Sequence, residues 1–248
     1  MSKSIDLNAD LGEGCAFDAE LMSVVSSCNI ACGGHAGDAA SMRTALTLAK
    51  ESGVSAGAHP SFPDRENFGR TKSDLAGGAL EAALKEQVQA LKDIADELSV
   101  PLTHLKPHGA LYNMAARDAG LSQSIINVLR EVVPEARLVG PPASETEALA
   151  KRLGVAYTAE GFADRAYEDD GQLRDRRKPG AVLPEGDRQM KQALEIATLE
   201  QVTTYEGAQI ALPVASICVH GDTPGAFASA RQIRSTLVGH GLSICPPA

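Results

Sequence analysis

The chain has 248 residues, room for one large α/β domain, and 44% of them are hydrophobic, enough for a substantial core. A formal net charge of −9, from 23 basic and 32 acidic residues, argues against a nucleic-acid binder and against attachment to an anionic membrane surface. No apolar run approaches the roughly 18 residues of a membrane span. The opening MSKSIDLNAD lacks the apolar stretch of a signal peptide, and the five cysteines form no CxxC pair. The expected location is cytoplasmic, with free thiols packed as small hydrophobes rather than a disulfide framework.

Short apolar runs alternate with helical patterns along the chain. A predicted strand at 4–7 (SIDL) precedes a helix over 18–26. A strand at 29–32 (NIAC) precedes a helix over 39–52, and one at 54–57 (VSAG) precedes a helix over 74–98. In that last helix, LAGGALEAALKEQVQALKDIADELS sets apolar residues at helical spacing with charges opposite. Strands follow at 102–105 (LTHL), 137–140 (RLVG), 155–158 (VAYT) and 216–219 (SICV), with helices over 119–132, 144–153, 186–199 and 224–238. Gly53 and Gly154 each follow a basic last turn, as helix C-caps do. Strand–helix alternation implies a mainly parallel sheet covered by helices. Seven units of roughly 30 residues fit a closed or nearly closed (β/α) barrel, with a doubly wound open sheet as the alternative. With no repeat, low-complexity stretch or linker, residues 1–248 read as a single domain. The charged segment 160–186 is the longest loop and is expected to act as a lid.

Polar residues collect where the strands end. Asn8, Asp10 and Glu13 follow the first strand. Asn29 opens the second, and His35 and Asp38 follow it. His59 and Asp64 follow the third, Lys106 and His108 the fourth. Glu160, Asp164 and Arg165 follow the sixth, His220 and Asp222 the seventh; only the fifth, ending in GPPAS, is poor in such groups. In parallel α/β folds these carboxyl ends share one face, where ligands bind. Five of the six histidines sit at or beside strand ends, His240 being the exception. Singly, each residue has a plain structural role: Asp10 closing a turn, Asp222 capping the last helix, Tyr112 packing in the core. Together they point to a site.

The chain has no Walker phosphate loop, no GxGxxG, no GxSxG elbow and no HExxH helix. Two chemistries stay open. Asp10, His35 and His59 can bind a divalent metal that activates water. Alternatively, the same groups act directly as acids and bases while Lys106 stabilises an oxyanion.

The segments IDLNADLGEG, NIACGGHAGD, GAHPSFPD, HLKPHGALYN, EGFADRAY and ICVHGDTPGA resemble, in order and spacing, the family of 5-oxoprolinase A-subunits, also called LamB/YcsF, from residue 5 to about 240. The resemblance implies a seven-stranded barrel-like α/β fold similar to the glycoside hydrolase/deacetylase type. It implies ring opening of 5-oxo-L-proline to L-glutamate, coupled to ATP with Mg²⁺ and carried out with two partner subunits, B and C. Carried over, the catalytic candidates are Asp10, His35, His59, Lys106, His108 and Asp222. Asn8, Glu13, Asn29, Glu160, Asp164, Arg165 and His220 are candidates for substrate binding. Lacking a phosphate loop, this chain is expected to leave ATP to one of its partners; a homo-oligomer stays open. Lys106→Met is expected to abolish turnover and leave the fold intact. The family usually has an aromatic where this chain has Gly34, so Gly34 is expected to open space beside His35. Two further readings are a metal-dependent deacetylase or amidohydrolase of a sugar or small amide, and a non-catalytic binding protein.

Overall fold

A computed structural model describes residues 3–221, 223 and 225–247. Asp222 therefore lies outside the described residues. Seven parallel strands, β1 (Ser4–Leu11), β2 (Ser27–Ala31), β3 (Ser55–His59), β4 (Leu102–Leu105), β5 (Arg137–Gly140), β6 (Tyr157–Phe162) and β9 (Ser216–Val219), lie side by side in that order. β9 also pairs with β1, with Asp6 opposite Ser216 and Leu7 opposite Ile217, so the barrel is closed. The short β10 (Ser243–Ile244) adds in parallel to the start of β1, and β7 (Gln201–Thr203) and β8 (Gln209–Ala211) form a separate hairpin.

Helices α1 (Asp18–Met22), α2 (Ala39–Ser52), α3 (Gly77–Leu98), α4 (Gly109–Ala115), α5 (Ala119–Val132), α6 (Glu145–Leu153), α7 (Asp187–Leu199) and α8 (Ala226–Gly239) surround the barrel. α3 buries Leu80, Leu84, Val88, Leu91 and Ala95, a stripe three to four residues apart. Gly53 and Gly154 take the left-handed conformation after α2 and α6, as expected of C-caps. The hydrophobic core fills the layer between strands and helices.

The centre of the barrel is polar. β1 is buried from Ile5 to Leu11, yet alternates strictly. Ile5, Leu7, Ala9 and Leu11 join the outer apolar layer, while Asp6, Asn8 and Asp10 bond to side chains of other strands across the interior. This explains where strand bounds differ from expectation. β1 runs on to Leu11 and β6 to Phe162, so Asn8, Asp10 and Glu160 stand inside strands rather than after them.

The segment after β6 is anchored at its start. Ala163 to Tyr167 are buried. Gln192 on α7 donates to the carbonyls of Phe162 and Arg165, and the Tyr167 hydroxyl accepts from the Phe162 N–H. Arg165 and Val182 form an antiparallel bridge.

Candidate active site

Alternate positions on β1, β2, β4 and β6 place one connected set of polar groups across the upper barrel. Lys106, just past β4, is 2% exposed. Its Nζ donates to Asp10 Oδ1 at 3.0 Å and sits 2.9 Å from Glu160 Oε1. The Asn8 amide donates to Glu160 Oε1 at 2.8 Å, and Asn29 donates to Asn8 Oδ1 and Asp10 Oδ1, each at 2.8 Å. The Tyr112 hydroxyl donates to Glu160 Oε2 at 3.2 Å, so this tyrosine both packs in the core and joins the network.

Burial pulls the Lys106 pKa down, but the neighbouring Asp10, Cys218 and Glu160 outweigh it and hold it well above the usual lysine range. Burial likewise pushes Asp10 up, and His59 and Lys106 outweigh it, leaving Asp10 well below the usual carboxylate range. Glu160 is raised, because burial wins there over Lys106. Two carboxylates that share one ammonium are thus driven apart in acidity, a pattern that separates acid from base roles.

Beside this network stand three histidines. His35 and His108 stack with ring centroids 3.7 Å apart, and His59 meets both edge-on. His59 Nε2 lies 2.9 Å from His108 Nδ1 and 3.3 Å from Asp10 Oδ2. Glu13, on the loop after β1, brings Oε1 to 2.9 Å from His35 Nε2 and 3.4 Å from His108 Nδ1. Burial lowers the pKa of His35 and, more strongly, that of His108, which favours neutral rings. His220 lies across from them, with Nδ1 2.7 Å from Asp164 Oδ2 and Nε2 3.7 Å from Asp10 Oδ2. Its burial opposes protonation, yet Asp164 raises its pKa.

Most of the expected site residues therefore meet at one end of the barrel. Arg165 turns instead to its own loop, where its guanidinium donates to the carbonyls of Ala181 and Arg174. Asp38 caps α2 through a capping box with Ser41, and Asp64 accepts from Asn67, so both serve local structure. Gly34 opens no space beside His35. A Cβ there would lie 2.2 Å from Gln87 Oε1 and 2.5 Å from Ser61 Oγ, because those side chains already fill the place.

The sequence alone gives one of the five strand-end histidines no role of its own. His104, inside the barrel on β4, places Nε2 2.9 Å from Asn29 Oδ1 and Nδ1 2.9 Å from Thr103 Oγ1. Burial drives its pKa down to about 3, so the ring is neutral. The Asn29 amide nitrogen already donates to Asn8 and Asp10; its oxygen must accept, and His104 must carry its proton on Nε2. Its position within LTHL, two residues before Lys106, is the signal: extended backbone from β4 into the next residue turns both side chains to the inward face.

The closed parallel (β/α) barrel is a fold that this chain has in common with distant solved structures. The catalytic domain of a peptidoglycan N-acetylglucosamine deacetylase from Eubacterium rectale shares it at a TM-score of 0.53 and 11% identity, over 100% of this chain and 90% of that one. The chain belongs to the LamB/YcsF family, which matches residues 5–248. It is 44% identical over 240 residues to the 5-oxoprolinase A-subunit of Erwinia tasmaniensis, covering 97% of this chain and 98% of that protein. It is 43% identical over 242 residues to the 5-oxoprolinase A-subunit of Histophilus somni, covering 98% of each. The crystal structure of a lactam utilization protein from Thermus thermophilus superposes with a TM-score of 0.90 at 34% identity, over 98% of this chain and 99% of that one.

Proposed function

We propose that this chain is the lactam-hydrolysing component of an ATP-dependent 5-oxoprolinase, opening 5-oxo-L-proline to L-glutamate together with partner subunits B and C. The observation that carries this reading is the buried Lys106, shared between Asp10 and Glu160, with His59 and His220 close to Asp10. An unstrained lactam is a poor electrophile, so both its oxygen and its nitrogen need help. Phosphoryl transfer from ATP to the lactam oxygen, with Mg²⁺, is assigned to a partner, since no phosphate loop is present here. Water then adds to the ring carbon and the C–N bond breaks as the nitrogen takes up a proton, leaving an acyl phosphate; a second water hydrolyses this to the L-glutamate side-chain carboxylate and inorganic phosphate.

This chain's residues suit the hydrolytic half. Asp10, held ionised, accepts the proton of the attacking water. The Lys106 ammonium stabilises negative charge developing on oxygen, in a site closed to bulk water. His220, kept protonatable by Asp164, is the donor to the leaving nitrogen. Glu160, Asn8 and Asn29 hold Lys106 and Asp10 in place.

The test is glutamate formation from 5-oxo-L-proline with ATP and Mg²⁺, using this chain alone and with subunits B and C. Turnover only with the partners supports the reading. Turnover by the chain alone overturns the assignment of ATP to a partner. No turnover with bound partners, together with ATP-independent release of acetate from an N-acetyl sugar, would replace it with the deacetylase reading.

A further inference from the structure

The hydrogen bonds of His59 and His108 determine where their protons are. His59 Nδ1 lies 2.7 Å from the backbone carbonyl of Lys106, and His108 Nε2 lies 3.0 Å from the carbonyl of Phe68. A carbonyl can only accept, so each of these nitrogens carries a hydrogen. That leaves His59 Nε2 and His108 Nδ1 as the ring nitrogens turned into the site. These two nitrogens face each other at 2.9 Å. The carboxylate oxygen of Glu13 lies 3.4 Å from His108 Nδ1 and 3.9 Å from His59 Nε2. Two imidazole nitrogens and a carboxylate oxygen thus converge on one buried space, each in a position to ligate a cation placed among them.

His35 completes the set. Its Nε2 is 2.9 Å from Glu13 Oε1, while its Nδ1 is buried and has no hydrogen-bond partner among the described residues. The backbone is also bent to this arrangement. Phe68 has φ of 56°, an uncommon conformation for a bulky residue, and it is the Phe68 carbonyl that fixes the His108 tautomer. Backbone carbonyls that hold the distal N–H of an imidazole are a usual support for metal-ligating histidines.

We propose that Glu13, His35, His59 and His108 bind one divalent transition cation of the zinc class. The four donor atoms lie within 4.8 Å of one another. Tetrahedral zinc, with metal–nitrogen bonds of about 2.0–2.1 Å, needs its ligands about 3.3 Å apart. The spacings of 2.9, 3.4 and 3.9 Å bracket that value. Three imidazoles and one carboxylate suit zinc, cobalt or nickel better than magnesium or calcium, which prefer oxygen. This set differs from the Asp10, His35 and His59 expected from sequence. Asp10 borders this set: its Oδ1 is held by Lys106 and Asn29, and its Oδ2 lies 3.3 Å from His59 Nε2. A cation held there would lower the pKa of nearby water.

The test needs neither substrate nor partner subunits, so its failure leaves the lactam reading untouched. The full chain, stripped with a chelator, is titrated with Co²⁺ and then Zn²⁺. The expected result is one equivalent of Co²⁺ with the visible d–d bands of four-coordinate cobalt, displaced by Zn²⁺. Glu13→Gln and His108→Ala should each weaken binding on the order of a hundredfold. Should His108→Ala fail to fold, Glu13→Gln on the first loop still decides. Absent d–d bands, or cobalt binding unaffected by Glu13→Gln, overturns the proposal. So does a ¹⁵N spectrum showing a proton shared by His59 and His108 in protein that takes up no metal.

Discussion

Lys106 Nζ lies 2.9 Å from Glu160 Oε1, with 2% of the lysine side chain and none of the glutamate side chain open to solvent. The same ammonium reaches Asp10 at 3.0 Å, so one buried cation offsets two buried anions. Lys106→Met would strand both carboxylates. Breaking a buried ion pair from one side costs about 3–5 kcal/mol, and the fold-neutral outcome expected from sequence gives way to a destabilised protein. Lys106→Met combined with Glu160→Gln should recover much of that loss and still lack turnover. Urea unfolding of both variants, with glutamate assays at a temperature where each is folded, checks this. A single mutant as stable as the parent would contradict the buried-pair account.

How much of this was legible in the sequence depends on which face of each strand is asked about. The seven units were legible because helices such as α3 carry an unbroken apolar stripe and β-runs sit between them. Strand ends were not, because the barrel interior is polar. In SIDLNADL the inward positions Asp6, Asn8 and Asp10 look like a loop beginning after Leu7. β7, β8 and β10 are two or three residues long, too short for any periodicity to show. Spacing also cannot say which donors converge. Asp10 and Glu13 are equally plausible ligands in NADLGEG, and only three-dimensional placement shows that Asp10 lies between Lys106 and His59 while Glu13 faces His35 and His108. Gly34 shows the opposite failure: a missing side chain reads as free space until Gln87 is seen filling it.

Gly57 is small because His104 lies over it. A Cβ at residue 57 would be 2.2 Å from the imidazole. Gly57→Ala must push the ring off Asn29 and should cost about 1–3 kcal/mol through overpacking. It should also lower kcat, since Asn29 would lose the partner that orients its amide towards Asp10. In the double variant with His104→Ala the clash is gone, so the two stability losses should not add. Thermal unfolding of the four proteins of this cycle gives the coupling; strict additivity would mean that the two residues do not compete for space.

Thiol chemistry offers a simple check on burial. Cys28, Cys32 and Cys218 are buried, and burial pushes the Cys32 thiol up to about 12, so little thiolate exists near neutrality. Cys245 is exposed and Cys15 partly so. Alkylation of the native protein at pH 8, followed by peptide mass mapping, should label Cys245 fastest, Cys15 more slowly and the other three only after unfolding. Labelling of Cys28 in native protein would show that the β2 layer opens.

The pairing of His220 with Asp164 ties stability to pH. Burial opposes charge on His220, but Asp164 wins and raises its pKa above the ordinary 6.5. The folded state therefore holds this proton more tightly than the unfolded chain does. The resulting stabilisation is fully present below about pH 6.5 and fades as pH rises through the higher, folded-state value. Asp164 has the opposite sign: its pKa is lowered, burial being outweighed by His220, so its contribution is lost as pH falls through its own lowered value. Between those limits the pair is intact, and a hydrogen bond between charged partners contributes about 1.5–3 kcal/mol. His220→Gln should accordingly be less stable than the parent at pH 6, and the gap should narrow towards pH 9. Unfolding midpoints of both proteins across that range measure it. A gap that stays constant with pH would mean that His220 is neutral in the folded protein, and would remove it as the proton donor to the lactam nitrogen.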